Sequence, residues 1–292
     1  MKFTSLCFVV AVATVFVVIG ADAGCTRRPV HVSTSGQLKT AMANVKPGDD
    51  IIFAPGTYPI NDDFKFGQSG DDDCPIVLTS DGNGLVTLDG AFIVNEINHI
   101  NITNITVVVT NLGFCFWQCH YIYFTNVNTT GGISFTWGYS LLIQNCTIGY
   151  TQYNGIAFDY SSDAVVEDCL FTDGIGSDGI SIDEHSSKIV IRNNVFYGSG
   201  YAGDYPCWIH TYSGGNEIYN NHFYNPDNHE MFAAISVLQS VPNVIRNNFI
   251  VMHPSSRSSG FAINVYRDQE VCASNKVFGG ATMTNGIIDP SC

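Results

Sequence analysis

The sequence predicts an all-β chain: a single-domain right-handed parallel β-helix of about nine coils with a short N-terminal capping helix. Three observations predict it. Short strand-like segments recur along most of the chain and bring one residue back to a fixed column. A second set of segments, upstream of each repeat, alternates apolar and polar residues. The composition is only 13% charged and rich in Gly, Asn, Ser and Thr, which suits turns and strands better than helices.

The N-terminal segment stands apart from this pattern. Met1 and Lys2 precede an apolar run from Leu6 to Ile19, and small residues follow at Ala21 and Ala23. That is the layout of a secretory signal, with cleavage expected after Ala23. The run is short for a membrane span. Residues 1–23 are therefore expected to leave, and residues 24–292 to form one β-helix domain that is secreted and extracellular. Disulfides are expected in that compartment. Ten cysteines are present; Cys7 would leave with the signal, so an odd number would stay. Sequons at Asn101, Asn104, Asn128 and Asn145 make glycosylation an expectation as well.

The net charge of −14 argues against nucleic acid, which calls for a basic face. No later stretch is long and apolar enough for a membrane, and a monomer is expected. An acidic polysaccharide would have to meet this charge through a bridging cation.

Taken in order, Ser35 to Ala43 reads as a capped helix of two turns, stopped by Pro47-Gly48. Asp50 to Tyr58 reads as a strand with a turn. The repeat then begins. Aligned, its segments place Asn104, Asn126, Cys146, Cys169, Asn194, Asn221, Asn248 and Asn275 in one column, at spacings of 22, 20, 23, 25, 27, 27 and 27. In a β-helix each coil stacks on the last at ~4.8 Å. Inward Asn side chains can then hydrogen-bond up the stack as a ladder. Burial in that ladder would shield Asn104 from glycosylation. Cys146 and Cys169 would fill the same slot, either as a disulfide or as two stacked thiols. A sandwich does not explain a column that recurs this often, and a propeller needs a longer period.

The second column reads Ile133-Ser-Phe-Thr136, Ile156-Ala-Phe-Asp159, Ile180-Ser-Ile-Asp183, Cys207-Trp-Ile-His210, Ile235-Ser-Val-Leu238 and Phe261-Ala-Ile-Asn264. Alternation turns the second and fourth residues of each outward. One face then carries Trp117, Thr136, Asp159, Asp183, His210, Leu238 and Asn264, with Trp208 beside them. Longer connections on this side mark it as the binding face of the solenoid.

Two stretches resemble a known family. Pro47 to Tyr58, followed by Cys74-Pro-Ile-Val-Leu78 and Val86-Thr-Leu-Asp-Gly90, looks like the entry coils of alginate lyase and chondroitinase B relatives. Ser177 to Asp183 through Ile189-Val-Ile-Arg-Asn-Asn194 looks like the central coils of pectate lyases. Over residues 35–280 the chain thus resembles the pectate-lyase-like superfamily of secreted β-helices. The resemblance implies this fold and action on carbohydrate. It assigns no catalytic residue. Where pectate lyases read Val-Trp-Ile-Asp-His, this chain reads Ile189-Val-Ile-Arg-Asn193. Where alginate lyase relatives carry a groove Lys and then an Arg, it has Glu184-His-Ser-Ser187 and Thr211-Tyr212. The Gly-His-Gly and Arg-Ile-Lys motifs of polygalacturonases are missing.

Three chemistries suit Asp159, Asp183 and His210 on consecutive coils. The two carboxylates can share a calcium ion with a uronate. One can stay ionised while the other acts as an acid. His210 can act as a base tuned by an Asp. Arg267 is the best cationic candidate for a catalytic role, and His185 follows the groove strand closely enough to reach the site. Trp117, Thr136 and Trp208 are expected to bind substrate, the aromatic planes by stacking on sugar rings. The favoured expectation is a calcium-assisted polysaccharide lyase acting on a pectate- or alginate-type glycan. The alternatives are a glycoside hydrolase using Asp159 and Asp183, and a non-catalytic glycan- or wall-binding protein.

Overall fold

The computed structural model describes residues 24–60, 64–82, 84–110, 113–172, 174–198, 206–225, 231–238, 241–252, 261–265, 270–279, 281–286 and 288–290. Apart from one short helix, the described chain is a stack of parallel strands. A nine-stranded sheet gathers Phe92–Asn95, Phe114–Trp117, Ile133–Thr136, Ile156–Asp159, Ile180–Ile182, Cys207–Thr211, Ala233–Val237, Phe261–Val265 and Thr282–Thr284. The other strands stack in two further columns. Ile100–Val109 and His120–Thr130 run through both of these and join them into one larger sheet.

The helix forms as expected over Ser35–Ala43. Thr34 caps it by accepting the Gln37 N–H, and Leu38 and Met42 turn their apolar side chains onto the first coils. The Cys25–Cys74 disulfide ties the chain start to the connection that precedes the strand Ile76–Ser80. Cys272 is disulfide-bonded too. Among the described residues no helix is long and apolar enough to cross a membrane.

The alternation of each strand explains the interior. Phe114, Phe116, Phe135 and Phe158 point inward from successive coils and are buried. Phe116, Phe135 and Phe158 stack face to face, with ring centroids 5.4 and 5.7 Å apart. Phe171, Phe196 and Phe223 form a second stack at 4.5 and 4.7 Å. Each such side chain contributes about 1.5–3 kcal/mol by leaving water. The parallel register adds an aromatic neighbour above and below.

The predicted ladder exists over most of its length. Asn194, Asn221, Asn248 and Asn275 are buried. Each of the first three donates from Nδ2 to the next Oδ1, at 3.0–3.1 Å, and that same Oδ1 accepts the backbone N–H of the rung before. Cys169 receives Asn194 Oδ1 on its own N–H at 2.9 Å, so the thiol rungs continue the stack. Of the two arrangements open for Cys146 and Cys169, the thiols are the ones present: both are unbridged, and the Cys146 N–H points at Cys169 Sγ, 3.4 Å away.

Asn104 and Asn126 do not belong to the ladder. Their places are taken by Ile105 and Val127, both buried. Asn104 and Asn126 are exposed, with φ of 51° and 57°. They head a second column with Asn145, Asp168, Asn193, Asn220 and Asn247, all between 52° and 57°. Asn and Asp tolerate this left-handed conformation better than other residues with a side chain. The Asn-Asn pairs of the repeat are thus two devices side by side. The first residue makes the corner and the second fills the ladder. With Asn104 outside, its sequon is not shielded by the core.

These two roles predict different costs. Asn221→Ala strips the acceptor from two donor groups of Asn194 and leaves buried groups unpaired, each costing about 1–3 kcal/mol. Asn220→Ala loses only the corner preference, about 1 kcal/mol. Denaturant melts should therefore show Asn221→Ala as the more destabilised by at least about 2 kcal/mol. Equal losses would contradict the division of roles.

Candidate active site

The exposed face of the nine-stranded sheet carries two outward rows. The register pairs Asn95 with Trp117, Trp117 with Thr136 and Thr136 with Asp159. Asp183 follows Ile182, which pairs with Phe158, and its N–H donates to Phe158 O at 2.9 Å. Asp159 and Asp183 therefore sit on adjacent coils of one row, as the alternation predicts. Their carboxyl groups lie close enough to shift one another's titration.

This pair is electrostatically uneven. Burial, then the hydrogen bond and charge of Asp183, pushes the Asp159 carboxyl above the usual range. Burial alone would raise Asp183 too. The His185 N–H, the Asp159 carboxyl and the His185 ring outweigh it and hold Asp183 below that range. His185 Nδ1 lies 3.3 Å from Asp183 Oδ1, and the same oxygen accepts the His185 backbone N–H at 3.2 Å. When one proton is shared, it belongs on Asp159 and the negative charge on Asp183.

An aromatic stack runs beside the carboxyl pair. Trp137, Tyr160 and His185 lie ring on ring, with centroids 4.2 Å apart at each step and planes within 19° and 4°. Trp137 and Tyr160 each follow an outward residue of the row and take φ of 59° and 49°. That left-handed corner throws their rings outward, and both are exposed. Buried serines hold the corner below. Ser161 Oγ donates to Asp159 O at 2.9 Å, the Ser161 N–H donates to Ser186 Oγ, and Ser186 Oγ donates to Phe158 O. Trp117 adds a further exposed ring to the row.

Other expected site residues fall elsewhere. His210 does not stand above Asp183. The register sets it against Ser181 on one side and Ser236 on the other, in the neighbouring outward row, and Asn264 joins that row. The alignment Cys207-Trp-Ile-His onto Ile180-Ser-Ile-Asp was two residues out, because Ile209 is the residue that pairs with Ile180. Trp208 is 1% exposed and packs against Phe196 inside the coil, so it offers no surface to a sugar. Gly179 makes room for it: a Cβ there would lie 2.8 Å from the indole. Arg267 lies outside the described residues. Arg192 and Arg246 sit on the larger sheet, where they pair with Glu167 and Glu217.

Trp137 and Tyr160 were missed by the sequence reading. A signal for them existed: each stands one residue past the outward end of a Phe-x segment, at a constant offset.

The fold and this geometry can be set beside known proteins. A family model described as "Right handed beta helix region" matches residues 79–223. No curated protein sequence matches the chain. Among solved structures, an alginate lyase from Paenibacillus sp. str. FPU-7 superposes with a TM-score of 0.77 at 20% identity, covering 89% of this chain and 99% of that one. The pectate lyase Pel9A gives 0.55 at 15%, over 90% and 80%. A GH136 lacto-N-biosidase from Eubacterium ramulus gives 0.60 at 12%, over 89% and 67%. The structural neighbours are mostly polysaccharide lyases, with some glycoside hydrolases. At these identities the likeness establishes the fold. The chain is a right-handed parallel β-helix.

The coupling of the carboxyl pair is open to direct measurement. In chelator, carboxyl NMR should show the Asp159 midpoint dropping in Asp183→Asn, yet staying above that of a free Asp because burial persists. An unchanged midpoint would mean that the two groups do not interact.

Proposed function

We propose that this chain is a polysaccharide lyase that cleaves an acidic glycan by β-elimination on the exposed face of the nine-stranded sheet. The observation that carries the reading is the Asp183–His185 pair, set beside Asp159 and continued by the Tyr160 and Trp137 rings. The likeness to an alginate lyase over nearly its whole length supports it.

In this reading the sugar chain runs across the coils and rests on Trp117 and Trp137, with Thr136 between them as a polar contact. Asp183 holds His185 through Nδ1, which leaves Nε2 to accept a proton. His185 takes the proton next to the uronate carboxylate. The electron pair forms the new carbon–carbon double bond, and the glycosidic C–O bond breaks. The leaving oxygen takes a proton from the Tyr160 hydroxyl, and solvent exchange restores both groups.

A chain of net charge −14 repels a polyuronate. Asp159 and Asp183 meet that problem by standing together on adjacent coils, where a cation between them is favoured. Their hard oxygens fit calcium, with water and a uronate completing its coordination. Bound there, calcium supplies the charge that lets the acidic glycan approach.

One observation favours a second reading. The uneven carboxyl pair also suits a glycoside hydrolase, with Asp159 as the acid and Asp183 as the carboxylate.

Digestion of pectate, alginate and glycosaminoglycans should raise ultraviolet absorbance at the new double bond, and excess chelator should abolish it. His185→Ala and Asp183→Ala should each lower kcat/KM by at least about 100-fold. Trp137→Ala should raise KM with little change in kcat. New reducing ends without ultraviolet absorbance would replace the lyase with the hydrolase. Binding without new ends would make the chain a glycan-binding protein. Activity indifferent to chelator would remove calcium.

A further inference from the structure

A second cluster lies apart from the Asp159–Asp183 row and takes no part in the chemistry above. Asp178, Cys207 and His210 each offer one metal-ligating atom, and these atoms all lie within 4.8 Å of one another. They come from different parts of the coil. Asp178 precedes the strand Ile180–Ile182, and Cys207 and His210 stand on the next strand, Cys207–Thr211. We propose that Asp178, Cys207 and His210 form a binding site for one divalent transition-metal ion of the zinc class.

The geometry is that of ligands around an ion more than that of a hydrogen bond. Asp178 Oδ2 and His210 Nδ1 are 3.4 Å apart. That is long for a bond between nitrogen and oxygen. Two ligands of a tetrahedral zinc, at 2.0–2.3 Å from the ion, lie about 3.3–3.8 Å apart. The donor set of one thiol, one imidazole and one carboxylate also suits zinc better than calcium or magnesium, which choose oxygen.

The carboxylate is held in place from outside the cluster. Asp178 Oδ1 accepts the Cys207 backbone N–H at 2.9 Å, and the Asp178 N–H donates to Asn154 Oδ1 at 3.1 Å. Such fixing of a ligand by its neighbours is typical of metal sites. Asp178 and Cys207 are buried, and the His210 side chain is only 13% exposed. Among the described ion pairs Asp178 meets His210 and neither Lys nor Arg. A bound cation would neutralise that buried carboxylate.

One polar atom at the site lacks a partner. His210 Nε2 is buried, and among the described residues it makes no hydrogen bond. Ser236 stands directly beside His210 by register and is 1% exposed. Its side chain lies against the Cys207 thiol. A Cys-His-Asp nucleophile fits the same residues less well. Burial pushes the Cys207 thiol far up, the reverse of what an activated nucleophile needs, whereas a metal would deprotonate it outright.

The full-length protein, stripped with chelator and then equilibrated with zinc, should retain one ion per chain and melt at a higher temperature. Loaded with cobalt instead, it should show a thiolate-to-cobalt charge-transfer band in the near ultraviolet. Cys207→Ser should abolish that band, and Asp178→Asn should weaken zinc binding by at least about 10-fold. Both variants must first show the wild-type circular dichroism. Asp183→Ala, in the other row, should keep the band. A folded wild-type protein that retains no zinc and shows no melting shift would overturn the site. So would a charge-transfer band that survives in Cys207→Ser. Loss of the band in a folded Asp183→Ala protein would show that the thiolate site depends on the other row and overturn the assignment too.

Discussion

The structure depends on one constraint: each coil must lie on the last in parallel register, with like side chains above like. Every interior feature is a version of that rule. Phe stacks on Phe at 4.5–5.7 Å, and Asn hands its amide hydrogens to the Asn beyond. A buried amide is costly alone and satisfied in a stack, because each rung completes the next. The thiols of Cys146 and Cys169 fit because a neighbouring N–H can point at sulfur as it would at an amide oxygen.

The same rule builds the outer face. Trp137 and Tyr160 stand at left-handed corners of successive coils and His185 stacks on them, so the three rings become a platform. Carboxyl groups at one outward position also fall together, which is why Asp159 and Asp183 divide into a raised and a lowered group. A solenoid thus converts a sequence period into a local cluster. The Asp178–Cys207–His210 cluster arises differently. It forms where a longer connection enters the stack and the strand Cys207–Thr211 starts early.

The parts legible in the sequence are those that obey the period. The helix Ser35–Ala43, the rungs Asn194 to Asn275, and the stacking of Asp159 under Asp183 followed from spacing alone. The errors fell where two signals shared one spelling or where a connection changed length. Asn104 and Asn126 were read as rungs because corner and rung are both Asn in later coils, while the early coils use Ile105 and Val127 inside. His210 and Trp208 were misplaced by one register choice after the long connection before Cys207. A shift of two residues keeps the inward and outward parity, so alternation cannot detect it. Trp208 then departs from parity as well, since Gly179 opens space for it inside.

The central claim is that the glycan lies along the Trp117–Asp159–Asp183 face and its aromatic flank. The three indole N–H signals test it directly, since Trp117 and Trp137 are exposed on that face and Trp208 is buried. Titration of the protein with a short uronate oligosaccharide, followed by NMR, should move the Trp117 and Trp137 signals and leave Trp208 in place. Stationary Trp117 and Trp137 signals, with shifts on the larger sheet around Tyr219 and Arg246, would contradict the account.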